Sequence, residues 1–151
     1  MIHILKLIRW KNLIMIALVQ YLIKYALLLP FFESHGIVTT LKPLGFTILI
    51  LATIFIAAGG YVINDIYDIE TDKLNKPSKV IVGKFVSEKN ALYLFIILNV
   101  IGVGLGYYLS NGLGKPGFFV IFIIASALLY IYSSYFKQMF LVGNIVVSLV
   151  V

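Results

Sequence analysis

The sequence predicts an all-α, polytopic transmembrane helix bundle with four full spans and the start of a fifth. Three observations carry that prediction. Of 151 residues, 62% are hydrophobic and only 12% charged, far too apolar for an ordinary soluble domain. Residues 43–63, 90–114 and 116–136 form runs of 21, 25 and 21 residues without a charge. Each run is long enough to span, since about 20 helical residues cross a hydrocarbon core of roughly 30 Å.

Taken in order, the first span is expected near residues 12–32. It carries Lys24 near its middle, which must snorkel or face a polar interior. Lys6, Arg9 and Lys11 precede it, as in a cleaved signal peptide, but the apolar run is too long for a signal core and no small-x-small site follows. The second span is expected at 43–63, the third at 91–109 and the fourth at 118–136. Gly102 and Gly106 in the third make a GxxxG pair that lets a neighbouring helix approach closely. The run GVGLG around them is no nucleotide loop, because no strand precedes it and the glycine spacing differs. After Lys137, 14 apolar residues remain, about 21 Å of helix, so 139–151 is expected to be a partial fifth span of a longer protein. A re-entrant or interfacial end is the alternative. One membrane domain therefore covers residues 1–151.

Charge distribution predicts the orientation. Three Lys and Arg residues precede Asn12, five lie between Asn64 and Lys89, and one stands at Lys137, whereas the intervening loops hold one each. Basic loops face the cytoplasm, which puts the N-terminus, the 64–89 loop and Lys137 inside, and residues 34–40 and 111–114 outside. The net charge of +6 sits in these short loops, which argues against a nucleic-acid partner. With no cysteine, a disulfide framework or thiolate metal site is excluded.

The chemistry concentrates in NDIYDIETDKLNKPSKVIVGK, residues 64–84, where four of the six carboxylates fall within nine positions. If the second span continues as a helix to residue 75, at about 100° per residue, Asn64, Asn75, Asp68, Asp72 and Asp65 lie at about 0°, 20°, 40°, 80° and 100°. Glu70, at about 240°, points away. Three aspartates on one face repel one another unless a cation sits among them. With oxygen ligands and no His or Cys nearby, the cation is expected to be Mg²⁺, which completes its shell with water and phosphate oxygens and so implies a phosphorylated substrate. The EF-hand spacing is absent. Pro77 should end the helix, and Lys79 and Lys84 follow in a loop placed to fold over the acids and hold a diphosphate as point charges. The alternative is that these lysines are only topology markers. His3 and His35 are isolated and suggest no chemistry.

At these residues the sequence resembles the UbiA superfamily of intramembrane prenyltransferases. The family's first aspartate-rich motif, N-D-x-x-D-x-x-x-D followed by N-x-P and a basic residue, is matched by Asn64, Asp65, Asp68, Asp72, Asn75, Pro77 and Lys79. RWKN at residues 9–12 resembles the start of its first helix, and Tyr130, Tyr132, Ser133, Lys137, Gly143 and Asn144 resemble its fourth and fifth helices. The opening LIRWKN and the IVGK loop look most similar to the geranylgeranylglycerol-phosphate geranylgeranyltransferase branch. The sequence departs from the pattern where many members have Arg-Pro and it has Lys79-Val80, and no second aspartate-rich motif occurs in these 151 residues.

The resemblance implies nine helices around a cavity open sideways to lipid, where a polyprenyl diphosphate binds through Mg²⁺ to both aspartate-rich motifs and a lipid or aromatic acceptor captures the prenyl group. It implies that Asn64 and Asp68 are the principal Mg²⁺–diphosphate groups, supported by Asp65 and Asp72. Lys79, Lys84 and Lys137 would contact diphosphate, Tyr130 would flank the reacting carbon, and Arg9 and Asn12 would border the acceptor. Without the second motif, this chain alone is not expected to be a complete enzyme. Two alternatives compete: a metal-binding or cation-transporting protein, disfavoured because the third and fourth spans hold no ionisable residue, and a non-catalytic assembly subunit.

Overall fold

The computed structural model describes residues 2–135 and Ser148. The predicted partial span at 139–151, with Lys137, Gly143 and Asn144, lies outside them. Among the described residues every regular element is helical, apart from an isolated bridge between Val82 and Val86. The elements are α1 (Ile2–Leu7), α2 (Trp10–Leu22), a π-helical turn (Ile23–Leu28), α3 (Leu29–Ser34), α4 (Pro43–Tyr67), α5 (Ile69–Asn75), α6 (Glu88–Gly112), a 3₁₀ turn (Pro116–Phe118) and α7 (Phe119–Ser134). Four stretches are long and apolar enough to cross a membrane: Trp10–Ser34, Pro43–Tyr67, Glu88–Gly112 and Pro116–Ser134.

Three local features depart from the sequence expectation. The first span is preceded by a separate short helix, α1, which breaks where Arg9 adopts a left-handed backbone, φ 52°. The span also widens between residues 23 and 28, where the Leu29 N–H reaches back five residues to the Lys24 carbonyl. Pro30 explains the widening, because it has no N–H to give and its ring crowds the carbonyl four residues earlier. Finally, the continuous helix expected through residue 75 is interrupted at Asp68, φ −90° and ψ 0°, between α4 and α5. The interruption is small. Backbone bonds from Asp68 to Asn64 (3.0 Å) and from Asp72 to Asp68 (2.8 Å) bridge it. As expected, α5 ends at Asn75, just before Pro77.

Helix α4 is the axis of the bundle, packed along α6 and against α7, with α2 on another side. Its small residues allow this. A methyl group on Gly60 would meet Leu129 of α7 at 2.9 Å, and one on Gly59 would run into Asn99 of α6. Asn99 in turn donates to the Phe95 carbonyl (2.9 Å) and accepts from Ser126 of α7, a polar link between helices of the kind that lipid favours. The GxxxG pair works, but with two neighbours. At Gly102 a side chain would meet Ile56 and the Ala52 carbonyl of α4, whereas at Gly106 it would run into the Phe122 ring of α7.

The main buried cluster joins Leu7 of α1, Leu13 of α2, Ala58 and Val62 of α4, Ile69 of α5, Val82 of the loop, and Ala91 and Leu98 of α6. It sits beneath the acidic end of α4. The loop after α5 is therefore anchored, with Val82 only 1% exposed, and Gly83, φ 84°, makes the tight return in which its N–H donates to Val86 (2.8 Å). Ser87 then caps α6 by accepting from the Asn90 N–H.

Candidate active site

Four of the five side chains that the spacing puts on one arc share a side, and Asn75, at the end of α5, does not. Asn64, Asp65, Asp68 and Asp72 are all half-buried, while Glu70, Lys73 and Asn75 are exposed. Glu70, the acid expected to point away, is occupied locally: Lys73 donates to it at 2.8 Å, which holds the Lys73 ammonium above its usual range. At the junction of α4 and α5, Asn64 Nδ2 donates to Asp68 Oδ2 at 2.8 Å. The side chains of Asn64 and Asp68, one helical turn apart, are thus joined at this junction.

Arg9 completes this end of the bundle. Its guanidinium lies 2.9 Å from Asp65 Oδ1 and 5.0 Å from the Tyr61 ring centroid. The left-handed backbone at Arg9 lets the chain turn from α1 into α2 at this spot, a conformation costing roughly 1–2 kcal/mol in a residue with a Cβ. The ion pair also puts the N-terminal helix and the acidic end of α4 on the same side of the bundle. Asn12 stands exposed in the first turn of α2, three residues from Arg9, whose carbonyl accepts from its backbone N–H at 2.8 Å.

Tyr130 of α7 reaches the same end. Its hydroxyl lies 3.1 Å from that of Tyr67, the last residue of α4, and its ring is tilted against Phe95. Tyr67 itself was not singled out by the sequence reading. On the helical wheel it falls at about 300°, some 60° from Asn64, so its place at the edge of the acidic arc was there to be read.

The lysines divide differently from the expectation of one diphosphate grip. Lys79 lines a cavity of about 370 Å³ whose other walls include His3, Lys6, Ser78 and Phe85, and none of the aspartates is among its walls. His3, to which sequence reasoning assigned nothing, stacks on Phe85 at 3.9 Å. Lys84 lies 5.3 Å from the same ring. The buried valines explain this: with Val80 and Val82 turned inward, the loop is pinned beside α1 rather than laid over α4.

The donor set suits a hard cation in one specific sense. Among the described residues no three His, Asp or Glu side chains converge on a common point, so an all-protein cage is not formed. Mg²⁺ needs none, since one or two carboxylates plus substrate phosphate oxygens and water satisfy it. Asp65 is paired with Arg9, so Asn64, Asp68 and Asp72 are the residues that would hold such an ion.

With this geometry in view, the profile of the UbiA prenyltransferase family matches residues 13–151. The chain belongs to that family. Among curated UbiA relatives, digeranylgeranylglyceryl phosphate synthase of Sulfolobus acidocaldarius is 42% identical over 120 residues, covering 78% of this chain and 42% of that protein. The protein of the same name from Hyperthermus butylicus is 40% identical over 106 residues, 69% of this chain and 33% of its own length. A solved structure described as digeranylgeranylglyceryl phosphate synthase in membranes superposes with a TM-score of 0.77 at 26% identity, covering 98% of this chain and 48% of that one. The chain thus spans less than half the length of these relatives.

Proposed function

We propose that this UbiA chain builds the diphosphate-holding half of a Mg²⁺-dependent prenyl-transfer site, and that the acceptor is a glycerol-phosphate lipid such as geranylgeranylglyceryl phosphate. The observation that carries the proposal is the paired Asn64 and Asp68 at the junction of α4 and α5, with Asp72 one turn on and Tyr130 against Tyr67, the last residue of α4. The names of the relatives support the acceptor class.

In this reading the C–O bond between the prenyl C1 and the diphosphate breaks, and the electron pair leaves with the diphosphate. The acceptor hydroxyl oxygen bonds to C1 and releases its proton. Mg²⁺, when bound, neutralises charge on the departing diphosphate. The chain's own residues do the positioning. Asn64 and Asp68, joined by their hydrogen bond, are the principal diphosphate-holding groups, and Asp72 supports them. Arg9 fixes Asp65 in place and borders the acceptor side with Asn12. The ring faces of Tyr67 and Tyr130 flank the allylic carbon, where an aromatic quadrupole favours positive charge. Lys79 and Lys84, turned to the Phe85 side of their loop, are left out of the diphosphate grip, for which Lys137 remains the candidate cation. The acidic end faces the cytoplasm, a placement supported by the basic residues of α1 and of the 73–89 loop on the same side of the bundle.

The test is transfer of a labelled geranylgeranyl group in membranes holding this chain together with the part that its relatives have beyond it. Asp68→Asn is expected to lower turnover at least 100-fold while insertion, followed by membrane fractionation, is unchanged. Near-normal turnover in that variant would remove Asp68 from the site and the proposal with it.

A further inference from the structure

The cavity at Lys79 is cationic, and prenyl transfer as described above makes no use of it. We propose that it is a second anion site, which binds a phosphate monoester between α1 and the loop after α5. The inference is independent of the prenyl-transfer reading.

Four polar side chains reach the cavity from two separate segments: His3 and Lys6 from α1, and Ser78 and Lys79 from the loop. No aspartate or glutamate is among its walls. The ion pairs formed among the described residues, Arg9–Asp65 and Lys73–Glu70, leave Lys6 and Lys79 without a carboxylate. The Ser78 hydroxyl has no hydrogen-bond partner among the described residues either. Two ammonium groups that line one cavity repel each other, and an anion between them removes that cost. Ammonium groups donate and never accept, so the occupant must supply the oxygens. A phosphate monoester brings three, with nearly two negative charges at neutral pH to set against two lysines.

The walls are held in place without a ligand. Leu7 at the end of α1 and Val82 in the loop are 0% and 1% exposed and belong to one buried cluster, so the two segments are fixed to each other. His3 stacks on Phe85 at 3.9 Å and ties the far end of α1 to the same loop. The volume, about 370 Å³, stands at the small end of the roughly 300–1,000 Å³ of sites that enclose organic ligands. With Val80, Ile81 and Phe85 as its apolar walls, the cavity has room for the carbons of a phosphorylated alcohol as well as the phosphate. Lys6 stands four residues before Trp10, where the first span begins, so both a lipid headgroup and a soluble ester can present that group here.

Native mass spectrometry of the purified chain in detergent, titrated with lipids of identical acyl chains, tests this. Phosphatidic acid, a monoester, is expected to bind one per chain and at least tenfold tighter than phosphatidylmethanol, an anionic diester. Lys6→Gln and Lys79→Gln should each weaken phosphatidic acid at least fivefold; both lysines are exposed, so the variants should insert normally. Lys89→Gln removes the same charge from the first turn of α6, outside the cavity, and should stay within twofold of wild type. Asp68→Asn should also stay within twofold, which separates this site from the acidic end of α4. Millimolar glycerol 3-phosphate then names the source of a confirmed monoester: displacement of phosphatidic acid assigns the site to soluble esters, and its absence to lipid headgroups. Equal binding of the two lipids, wild-type binding in both cavity variants, or an equal loss in Lys89→Gln would each overturn the proposal.

Discussion

Arg9 shows what one residue contributes that its letter does not announce. The sequence reading placed it at the acceptor border through a resemblance, but its partner, 56 positions away, is set by the fold. The ion pair is half-exposed on the arginine side, so its net worth is modest, about 1 kcal/mol after solvent screening. Its backbone makes a sharper test. With φ at 52°, Arg9→Gly is expected to be about 1 kcal/mol more stable than Arg9→Ala, although both lose the guanidinium. Thermal unfolding in detergent checks the ranking, and equal midpoints would contradict the left-handed turn. The shared half-buried side of Asn64, Asp65, Asp68 and Asp72, by contrast, follows from the helical period alone, whereas Asn75, expected on the same arc, is exposed because α5 ends there. The pairing of Tyr67 with Tyr130 and the Lys79 cavity were harder to see, since α7 and α1 decide what stands beside them.

At the scale of elements, the four helical stretches long and apolar enough to cross a membrane begin and end within a few residues of the apolar runs. The extension of α4 to Tyr67 follows from polar side chains lying on one face, which leaves the helix itself undisturbed. What run length does not encode is local geometry. Pro30 marks the first span as irregular, yet the choice of a π-helical turn over a kink depends on packing. The glycines of α6 separate two kinds of position. Gly102→Ala and Gly106→Ala are each expected to destabilise the bundle by roughly 1–3 kcal/mol through overpacking, against Ile56 and Phe122 respectively. Gly104→Ala meets nothing within 4 Å and should be neutral or slightly stabilising, because alanine is the better helix former. A series of the three variants, unfolded in mixed detergent, reads this out. Destabilisation of the Gly104 variant to the same extent would mean that α6 packs on a different face.

The whole molecule is polarised. One end gathers α1, the break in α4, the anchored 76–86 loop and the Tyr67–Tyr130 pair, all over the largest buried cluster. The other carries Lys24, against the first turn of α4, and short connections. Family, fold class and the acidic end were readable because membrane spans and a fixed-spacing motif are both local signals. The path of the loop was not, since it rests on Val80 and Val82 finding a core made by three other helices. The central claim is that the acidic end of α4 holds a diphosphate through Mg²⁺, with Asn64 and Asp68 as its main protein oxygens. Equilibrium binding of a fluorescent geranylgeranyl diphosphate analogue to the detergent-solubilised chain, with and without Mg²⁺, measures this most directly. The account predicts saturable binding that falls at least tenfold when Mg²⁺ is chelated and equally in Asp68→Asn. Binding indifferent to both would contradict it.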